Sequence, residues 1–433
     1  MPFDNLHRNE IYPLPIEGGY LVYAPLSGMF FRLNQEETDR VEAYLAGSNP
    51  DDNEAATLML ALRSEQKSSR TICRKNDVSQ LHKLSILPTY RCNFKCSYCY
   101  SALGRQNKSL SWTRAAAAID FFIDRNRTPL RELWLAILGG GEPFLTPELT
   151  CSIISHARQR SHEQGFKLGI GLTTNGSLYD ESLCKTMIDN SVNLGVSFEV
   201  LKDVQNAQRQ NYDIVVSVVR QYMNEGVDIT VKSIITPDNV NRLEEMVGEL
   251  HRLFPLVKKY KLQIVEEPHI FADRSRMQRF YNDFTANFFA AQSLGFSLGV
   301  DVYVLASKYV DMLVEHYCGG EMCLNPEGSI TVCHRYSSPN ESGYSSFVYG
   351  SVSEEGVVTL DNDRFAELMS HDISYLPKCR ECFVKWHCGG GCLAQSSIYE
   401  NDQLDIICNW TRDFTKRILL RQLAHSMTTI NDT

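Results

Sequence analysis

TYRCNFKCSYCY, residues 89–100, carries three cysteines, Cys92, Cys96 and Cys99, in a C-x3-C-x2-C spacing. The apolar run KLSILPT at 83–89 leads into it and predicts a strand, so the three thiols belong to the loop that leaves this strand. Three thiolates can ligate three irons of a 4Fe-4S cube and leave the fourth iron open, or they can bind one zinc ion together with water. The stretch therefore predicts a metal centre at the carboxyl end of a strand.

The sequence after this loop alternates apolar runs with helical segments. Five further strands are predicted at residues 133–140, 167–176, 192–200, 227–237 and 261–268, separated by stretches with helical periodicity. Six successive β–α units predict an α/β fold with a parallel sheet covered by helices, and right-handed crossovers curve such a sheet into a full or partial barrel. Functional side chains then collect at the carboxyl ends of the strands, where the cysteine loop lies.

The two ends of the chain have a different pattern. From Gly18 onward two apolar strands and a helix are predicted, and Asn34, Glu36 and Glu37 suit the start of that helix. The polar stretch 63–80 marks a linker, and after about residue 305 loops rich in Cys and Gly lead to a final helix at 413–427. We therefore expect a small α+β domain with its linker at 1–80, the barrel at 81–305, and a cysteine-rich domain at 306–433.

The composition excludes several classes of partner. The 433 residues carry a formal net charge of −9, and no basic run offers a local attraction for nucleic acid or an anionic membrane. No stretch is apolar for long enough to span a bilayer and no signal peptide is recognisable, so the expected location is the cytoplasm. In that reducing compartment the fourteen cysteines stay available as thiols. Cys73, Cys151 and Cys184 lie apart from the others and are expected to be buried as small hydrophobic residues.

A second group of cysteines follows the predicted barrel. It comprises Cys318, Cys323, Cys333, Cys379, Cys382, Cys388, Cys392 and Cys408. Eight thiolates suffice for two four-cysteine sites, which can be iron–sulfur clusters or structural zinc sites. The glycines at 319–320 and 389–391 allow the backbone to turn tightly around such sites.

The loop CNFKCSYCY resembles the cluster-binding loop of radical S-adenosylmethionine (SAM) enzymes, in which three cysteines hold a 4Fe-4S cluster whose open iron binds SAM. GGGEP at 139–143 is similar to the family's Gly-Gly-Glu stretch, and this resemblance implies that Gly140, Gly141 and Glu142 bind the amino group of SAM. The further SAM contacts that the resemblance implies are Thr174, Asn175, Ser197 and Arg209. For Arg209, a solvated position at a helix start is the alternative. At 198–200 the sequence Phe-Glu-Val departs from the family's usual continuation.

The second group resembles the SPASM extension of this family, which carries two auxiliary 4Fe-4S clusters. The resemblance assigns to the nearer cluster Cys318, Cys323, Cys333 and Cys392, and to the farther cluster Cys379, Cys382, Cys388 and Cys408. The first eighty residues resemble the small winged-helix, peptide-binding domain of many peptide-modifying relatives. A capping domain without a binding role is the alternative.

These resemblances imply three 4Fe-4S clusters, SAM as a cofactor, and a reaction. A reduced cluster at the first loop cleaves SAM, and the resulting 5′-deoxyadenosyl radical takes a hydrogen atom from an unactivated carbon. The auxiliary clusters then accept a second electron, and His334 is the candidate base for the departing proton. A histidine that only hydrogen-bonds to a cluster sulfur is the alternative. Glu266 and Glu267 are further acid/base or substrate-contact candidates, and a flavodoxin- or ferredoxin-type protein is the implied electron donor.

Three functions remain open at this point. The sequence favours an oxidoreductase that cross-links side chains of a ribosomally made precursor peptide through a thioether, carbon–carbon or ether bond. The second is an anaerobic sulfatase-maturing enzyme, which forms formylglycine and whose base is an Asp where this chain has His334. The third is a zinc-stabilised binding protein without catalysis, which leaves GGGEP unexplained.

Overall fold

A computed structural model of the chain describes residues 3–63, 77–374 and 376–431, with side chains described as far as residue 424. The described strands form two sheets, one of three strands and one of eleven. In the described ranges, no helix combines the length and the apolar character needed to cross a membrane. Residues 64–76 of the predicted linker lie outside the described part of the chain.

The smaller sheet occupies the first part of the chain. It contains β1 (Tyr12–Ile16), β2 (Gly19–Ala24) and β3 (Met29–Leu33), accompanied by α1 (Asp4–Arg8), α2 (Gln35–Leu45) and α3 (Asn53–Arg63). α2 begins as predicted, because the Asn34 side chain accepts a hydrogen bond from the Glu37 N–H at 2.9 Å and the Glu37 carboxylate accepts one from the Asn34 N–H at 2.7 Å. The sequence did not predict β1, since Pro13 and Pro15 argue against a strand. An edge strand tolerates prolines, because one of its sides needs no N–H donor.

The larger sheet contains all six predicted parallel strands. They are β4 (Lys83–Ile86), β5 (Glu132–Ile137), β6 (Lys167–Thr174), β7 (Asn193–Ser197), β8 (Asp228–Ile235) and β9 (Lys259–Ile264), which pair in chain order. The helices between and after them are α4 (Trp112–Phe122), α5 (Pro147–Gln164), α6 (Glu181–Asp189), α7 (Lys202–Gln208), α8 (Tyr212–Asn224), α9 (Leu243–Leu253) and α10 (Arg274–Ser297). A short strand, β10 (Asp301–Tyr303), extends the sheet beyond β9. The prediction of a parallel sheet built from β–α units is confirmed.

Helix α9 illustrates how the helices cover this sheet. Leu243, Met246, Val247 and Leu250 recur at the spacing of one helix face, and each is almost completely buried. The exposed residues of the same helix are mainly charged. Helices of this kind cover the outer face of the sheet, so the inner face is left to line a cavity.

The cysteine-rich region continues the larger sheet. β11 (Met322–Leu324) pairs in parallel with β4, and β12 (Ser329–Thr331), β13 (Val348–Val352) and β14 (Val358–Leu360) follow in antiparallel order. The last helices are α11 (Asn362–Leu368), α12 (Lys385–Cys388), α13 (Leu393–Ser396) and α14 (Asn401–Asn431), and α14 includes the predicted final helix. The sequence did not predict the four strands, because such short segments among Cys and Gly carry little periodicity.

The three isolated cysteines have different surroundings. Cys184 on α6 is buried, as predicted. Cys151 on α5 is only half-buried, so the expectation of full burial is wrong for this residue. Cys73 lies outside the described residues.

Candidate active site

A cavity of about 500 Å³ opens on the inner face of the larger sheet. The cysteine loop after β4, the GGGEP segment after β5, the end of β6 and strands β7 to β9 supply its wall. The cysteine-rich region contributes His334 and Arg335. The structure thus brings together the site residues predicted in the barrel and at His334: Cys92, Cys96, Cys99, Gly140, Gly141, Glu142, Thr174, Asn175, Ser197, Arg209, Glu266, Glu267 and His334.

The three thiols of the first loop are half-buried at the cavity wall and form no disulfide. Burial raises the pKa of the Cys92 and Cys96 thiols, so their thiolates need a nearby cation. A bound metal centre supplies that charge and deprotonates the thiols that coordinate it. The donor set therefore fits the predicted metal centre.

The aromatic residues of this loop anchor it to the rest of the protein. Tyr90 and Phe94 are buried, and the Tyr90 hydroxyl donates a hydrogen bond to the Ser337 carbonyl at 2.7 Å. The buried Tyr98 hydroxyl donates to the Glu199 carboxylate and accepts from Arg209 Nη1 at 3.0 Å. These contacts fix the backbone that carries the thiols.

The glycines of GGGEP allow this segment to lie directly against the cysteine loop. A Cβ atom added to Gly141 would lie 2.1 Å from the Arg91 carbonyl oxygen, so only glycine fits there. Gly140 has a φ of +94°, which a residue with a side chain rarely adopts. The Glu142 N–H donates to the same Arg91 carbonyl at 2.7 Å.

The Glu142 carboxylate ties GGGEP to TTNG. It accepts hydrogen bonds from the Thr174 hydroxyl at 2.8 Å, the Asn175 N–H at 2.7 Å and the Phe144 N–H at 3.1 Å. Burial nevertheless raises the pKa of this carboxyl. A carboxylate has about four acceptor positions, so protein groups occupy most of those on Glu142. Asn175 extends the network to the cysteine loop by donating to Asn93 at 2.8 Å.

Arg209 lies in the cavity wall, just after α7, and is only 7% exposed. The alternative of a solvated arginine at a helix start is therefore wrong. Its Nη1 lies 4.0 Å from a Glu199 carboxylate oxygen. Its Nε–H is buried without a hydrogen-bond partner among the described residues, which leaves one donor for a ligand.

His334 is held by a buried carboxylate. Its Nδ1 and its backbone N–H each lie 2.6 Å from Glu321 Oε1, and the other oxygen of Glu321 lies 2.6 Å from Lys83 Nζ. Burial alone would raise the pKa of Glu321, but the charges of His334 and Lys83 hold it below its ordinary value. Because Nδ1 is engaged, Nε2 is the ring nitrogen left for other contacts.

Glu266 and Glu267 face Arg335 across the cavity. Arg335 donates a hydrogen bond to Glu267 and lies 4.0 Å from Glu266. Burial raises the pKa of Glu266, and the charge of Arg335 opposes that rise. The two acids therefore already have a partner within the protein.

Within the second group, Cys388 lies near Cys408, Cys382 and Cys379, and Cys333 lies near Cys392 and Cys318. Burial raises the pKa of Cys388 to about 12, and the charges of Cys408, Cys382 and Cys379 add to the rise. In the other set, burial and the charge of Glu321 have the larger effects on the pKa of half-buried Cys333, and the charges of Cys392 and Cys318 add to the rise. Cys323 is buried on β11, beside β4.

These thiols are spaced more widely than ligands of a single zinc ion. In the described part of the chain, only Glu321, Cys333 and His334 form a group of three whose ligand atoms all lie within 4.8 Å of one another. Thiolates around one tetrahedral zinc ion lie only about 3.8 Å apart, because Zn–S distances are about 2.3 Å. In the described residues, no three of these thiols are therefore already arranged at the spacing of a bound zinc site.

Sequence reasoning missed two acids of this site. Glu199 is fully buried between Tyr98 and Arg209, and burial raises its pKa to about 7. The available signal was that Glu199 lies in Phe-Glu-Val, the segment at 198–200 that departs from the family's usual sequence. An acid directly after a buried strand needs a partner. Glu321 stands among glycines and cysteines, and no local pattern indicated its contact with His334.

The comparisons with known proteins agree with this geometry. Residues 86–250 match the model of the radical SAM superfamily. A cysteine-type anaerobic sulfatase-maturating enzyme of Clostridium perfringens is 19% identical over 340 residues, which cover 73% of this chain and 89% of that enzyme. An uncharacterised protein of Methanocaldococcus jannaschii is 24% identical over 182 residues, which cover 40% of this chain and 59% of that protein. The match with the Methanocaldococcus relative thus spans less than two thirds of its length.

Two solved structures have a similar fold. The structure of anSMEcpe with bound AdoMet has a TM-score of 0.59 at 18% identity and covers 78% of this chain and 98% of its own. The structure of Streptococcus suis SuiB bound to the precursor peptide SuiA has a TM-score of 0.52 at 12% identity and covers 91% and 97%. At these identities the likeness shows the fold alone, a mixed α/β fold with a mainly parallel sheet. The family match implies that residues 86–250 are a radical SAM domain, with a 4Fe-4S cluster and SAM, and the fold of the chain resembles those of anSMEcpe and SuiB.

Proposed function

We propose that this enzyme is a peptide maturase that oxidatively cross-links side chains of a ribosomally synthesised precursor, forming a thioether, carbon–carbon or ether bond. The observation that carries the proposal is that one cavity joins the three-cysteine loop to His334 and Arg335, which directly follow Cys333 of the second group. The radical would then form next to the bound substrate side chain, and the second electron would be removed from that same side chain.

The proposal assigns a role to each part of the chain. Residues 81–305 would form a partial (β/α)6 TIM-like radical SAM barrel. Residues 306–433 would form a SPASM domain with two auxiliary 4Fe-4S clusters, and residues 1–80 would recognise the leader of the precursor. A flavodoxin- or ferredoxin-type protein would supply the electrons.

Cys92, Cys96 and Cys99 would hold the first cluster, and Gly140, Gly141, Thr174, Asn175, Ser197 and Arg209 would surround SAM. When bound, SAM and the cluster supply a radical that can remove a hydrogen atom from an unactivated carbon. Since protein donors occupy most of the Glu142 carboxylate, its role is to hold the glycines, whose carbonyls can accept from an ammonium group. The free Nε–H of Arg209 suits a carboxylate.

The second half of the reaction needs an acceptor for an electron and one for a proton. The two auxiliary clusters are the proposed electron acceptors. His334 is the proposed base, because Glu321 fixes its Nδ1 and leaves Nε2 toward the cavity. The carboxylate would also stabilise the imidazolium that forms when His334 takes up the proton.

The small sheet offers one open edge for a leader peptide. β1 is an unsuitable edge, because its two prolines lack N–H donors and Lys416 donates a hydrogen bond to the Pro15 carbonyl. β3 pairs only with β2 among the described strands, and its residues 29–31 are half-exposed. An extended peptide can add to such an edge through main-chain hydrogen bonds. Deleting residues 1–80 should weaken precursor binding, and an unchanged affinity would contradict this role.

A sulfatase-type maturase is the second candidate, because the Clostridium perfringens enzyme is covered over 89% of its length. Such an enzyme would oxidise one Cys or Ser to formylglycine. The structure of SuiB covers more of this chain than that of anSMEcpe, 91% against 78%, although its TM-score is lower. The broader coverage supports the precursor-peptide proposal.

The intact mass of a short peptide encoded beside this chain tests the proposal. The peptide is co-expressed with the enzyme without oxygen and compared with the peptide expressed alone. Cross-linking removes two hydrogen atoms per bond, and fragmentation locates it. Formylglycine formation from Cys replaces sulfur by oxygen and gives a different mass. Formylglycine formation from Ser also removes two hydrogen atoms, so fragmentation and reaction of its aldehyde with a hydrazide distinguish it from a cross-link. An unchanged mass for every neighbouring peptide would overturn the cross-linking proposal.

A further inference from the structure

Two lysines lie side by side on the inner face of the larger sheet, and the mechanism above uses neither. Lys232 of β8 is the direct neighbour of Lys261 on β9 and of Ser197 on β7. Both lysines are half-buried and line the cavity. The residues that flank them along their strands are mostly buried apolar residues, such as Val231 and Leu262.

The neighbouring strands leave room for this lysine pair. A Cβ atom added to Gly195 on β7 would lie 2.4 Å from Lys232 Nζ, so a larger residue there would displace the ammonium group. Lys232 donates a hydrogen bond to the Thr173 hydroxyl at 3.1 Å. Lys232 is therefore held across the inner face of the sheet, with its charge inside the cavity.

Several other charged residues of the cavity have a close partner of opposite charge, and the two lysines differ from them in this respect. Lys83 has Glu321 as a partner at 2.6 Å. In the described ranges, neither Lys232 nor Lys261 has a carboxylate oxygen within 4.0 Å. The charge of Glu266 acts on Lys261 from a longer distance, but Glu266 also faces Arg335.

Without a ligand, the two charged lysines therefore lower the stability of the folded protein. Like charges directly opposite each other on adjacent strands destabilise a sheet. Burial lowers the pKa of Lys232 to about 8, and the charges of Lys261 and Lys83 add to the decrease. Burial also lowers the pKa of Lys261. A carboxylate that contacts these ammonium groups would offset part of this cost.

We propose that Lys232 and Lys261 form a subsite for a carboxylate of the substrate peptide, namely an Asp or Glu side chain close to the residue that is modified. This inference rests on the proposed function. The subsite would fix the register of the peptide in the cavity and would favour precursors that carry an acid at that position. Two ammonium groups can each donate to one carboxylate oxygen.

Ser197, a proposed SAM residue, is the direct neighbour of Lys232, whereas Lys261 lies one strand farther away. Lys232 and Lys261 each stand three residues before the end of their strand, which is roughly 10 Å at about 3.3 Å per residue. Gly140, Glu142 and Arg209 lie on segments beyond the strand ends. The carboxylate of SAM is the other source of the same chemistry, and the experiment distinguishes the two.

Protection of the lysines from reductive methylation tests the subsite on the full chain, purified without oxygen. The probe is N-acetylglutamate methylamide, the matched neutral control is the glutamine analogue, and ionic strength is kept equal with sodium chloride. Mass spectrometry of digested protein gives the labelling of Lys232 and Lys261, with exposed Lys185 as the internal reference. We expect the glutamate probe, but not its glutamine analogue, to slow labelling of both lysines at least threefold, whether or not SAM is present.

Binding to variants gives the second measurement. Loss of two charge-assisted hydrogen bonds in the Lys232→Met/Lys261→Met variant should weaken binding of the glutamate probe about tenfold or more. The Lys232→Arg/Lys261→Arg variant should retain most of the binding. Lys185→Met is the matched control on the surface and should leave it unchanged.

Several results would overturn the proposal. They are equal protection by the glutamate and glutamine probes, protection by SAM alone, protection by inorganic phosphate but not by the glutamate probe, and unchanged binding in the double methionine variant. Formation of 5′-deoxyadenosine by the wild-type enzyme is measured separately. Its absence would refute the proposed function, whereas its presence with equal probe effects would refute only the subsite.

Discussion

The upper part of the cavity, around Cys92, Glu142 and Arg209, differs from the lysine pair on β8 and β9 in how charge is balanced. In the upper part, protein donors occupy most of the Glu142 carboxylate, and Arg209 faces Glu199 and Tyr98. At the lysine pair, two ammonium groups face the cavity without a close carboxylate in the described ranges. The difference teaches that protein groups balance most of the charge of Glu142 and Arg209, whereas the lysine pair has no close carboxylate of its own in the described part of the chain.

The largest effect is expected at the cysteine loop. Changing Cys96 to Ala removes one of the three thiolates proposed to hold the first cluster, so formation of 5′-deoxyadenosine from SAM should fall to background. The matched control is Cys151→Ala, which removes a half-buried thiol that lies outside both cysteine groups. Persistent SAM cleavage in the Cys96 variant would show that the upper part does not hold the reactive cluster.

A smaller effect is expected at His334. Without the proposed base, product formation should fall about 100-fold, within the usual range for loss of a general base. More 5′-deoxyadenosine should then form per molecule of cross-linked peptide. Chromatography of both products gives this ratio. An unchanged ratio and yield in His334→Ala would remove the histidine from the mechanism and leave it a structural partner of Glu321.

Gly141 tests whether the upper part is rigid without a ligand. In Gly141→Ala the new Cβ atom would lie 2.1 Å from the Arg91 carbonyl oxygen, so the free energy of unfolding should fall by about 2–4 kcal/mol. The matched control is Gly248→Ala in α9, where no atom lies within 4 Å of the added Cβ. That change should increase stability by about 0.5–1 kcal/mol, because alanine favours a helix. Equal stability of the two variants in denaturant titrations would contradict close packing at Gly141.

The smallest effect concerns the pH dependence of stability at the lysine pair. The pKa of Lys232 is about 8 in the folded protein and 10.5 ordinarily, so the folded state binds fewer protons than the unfolded state between these values. The free energy of unfolding should therefore gain about 1–3 kcal/mol as pH rises from 8 to 10.5, and below pH 8 the full cost of the buried charge remains. Denaturant titrations of the wild type and Lys232→Met measure this gain. An identical gain in the variant would show that groups other than Lys232 cause the rise in the free energy of unfolding.

Local sequence patterns predicted most of the upper part correctly. The C-x3-C-x2-C loop, GGGEP and TTNG each place their residues at a strand end, and the alternation of strands and helices brings strand ends to the same edge. The partners that hold these segments were not predictable. Tyr98 and Glu199 are 101 residues apart, and no local pattern records such a contact.

By itself the sequence determined the six parallel strands, the cysteine loop that resembles that of radical SAM enzymes, and the capped start of α2 at Asn34. These features depend on hydrophobic periodicity and on short spacings, which act within one segment of chain. Only the tertiary structure decided that β11 extends the barrel sheet, that Glu321 holds His334, and that Lys232 lies beside Lys261. The physical reason is that strand register and burial, not neighbouring residues, set which charges meet inside the cavity.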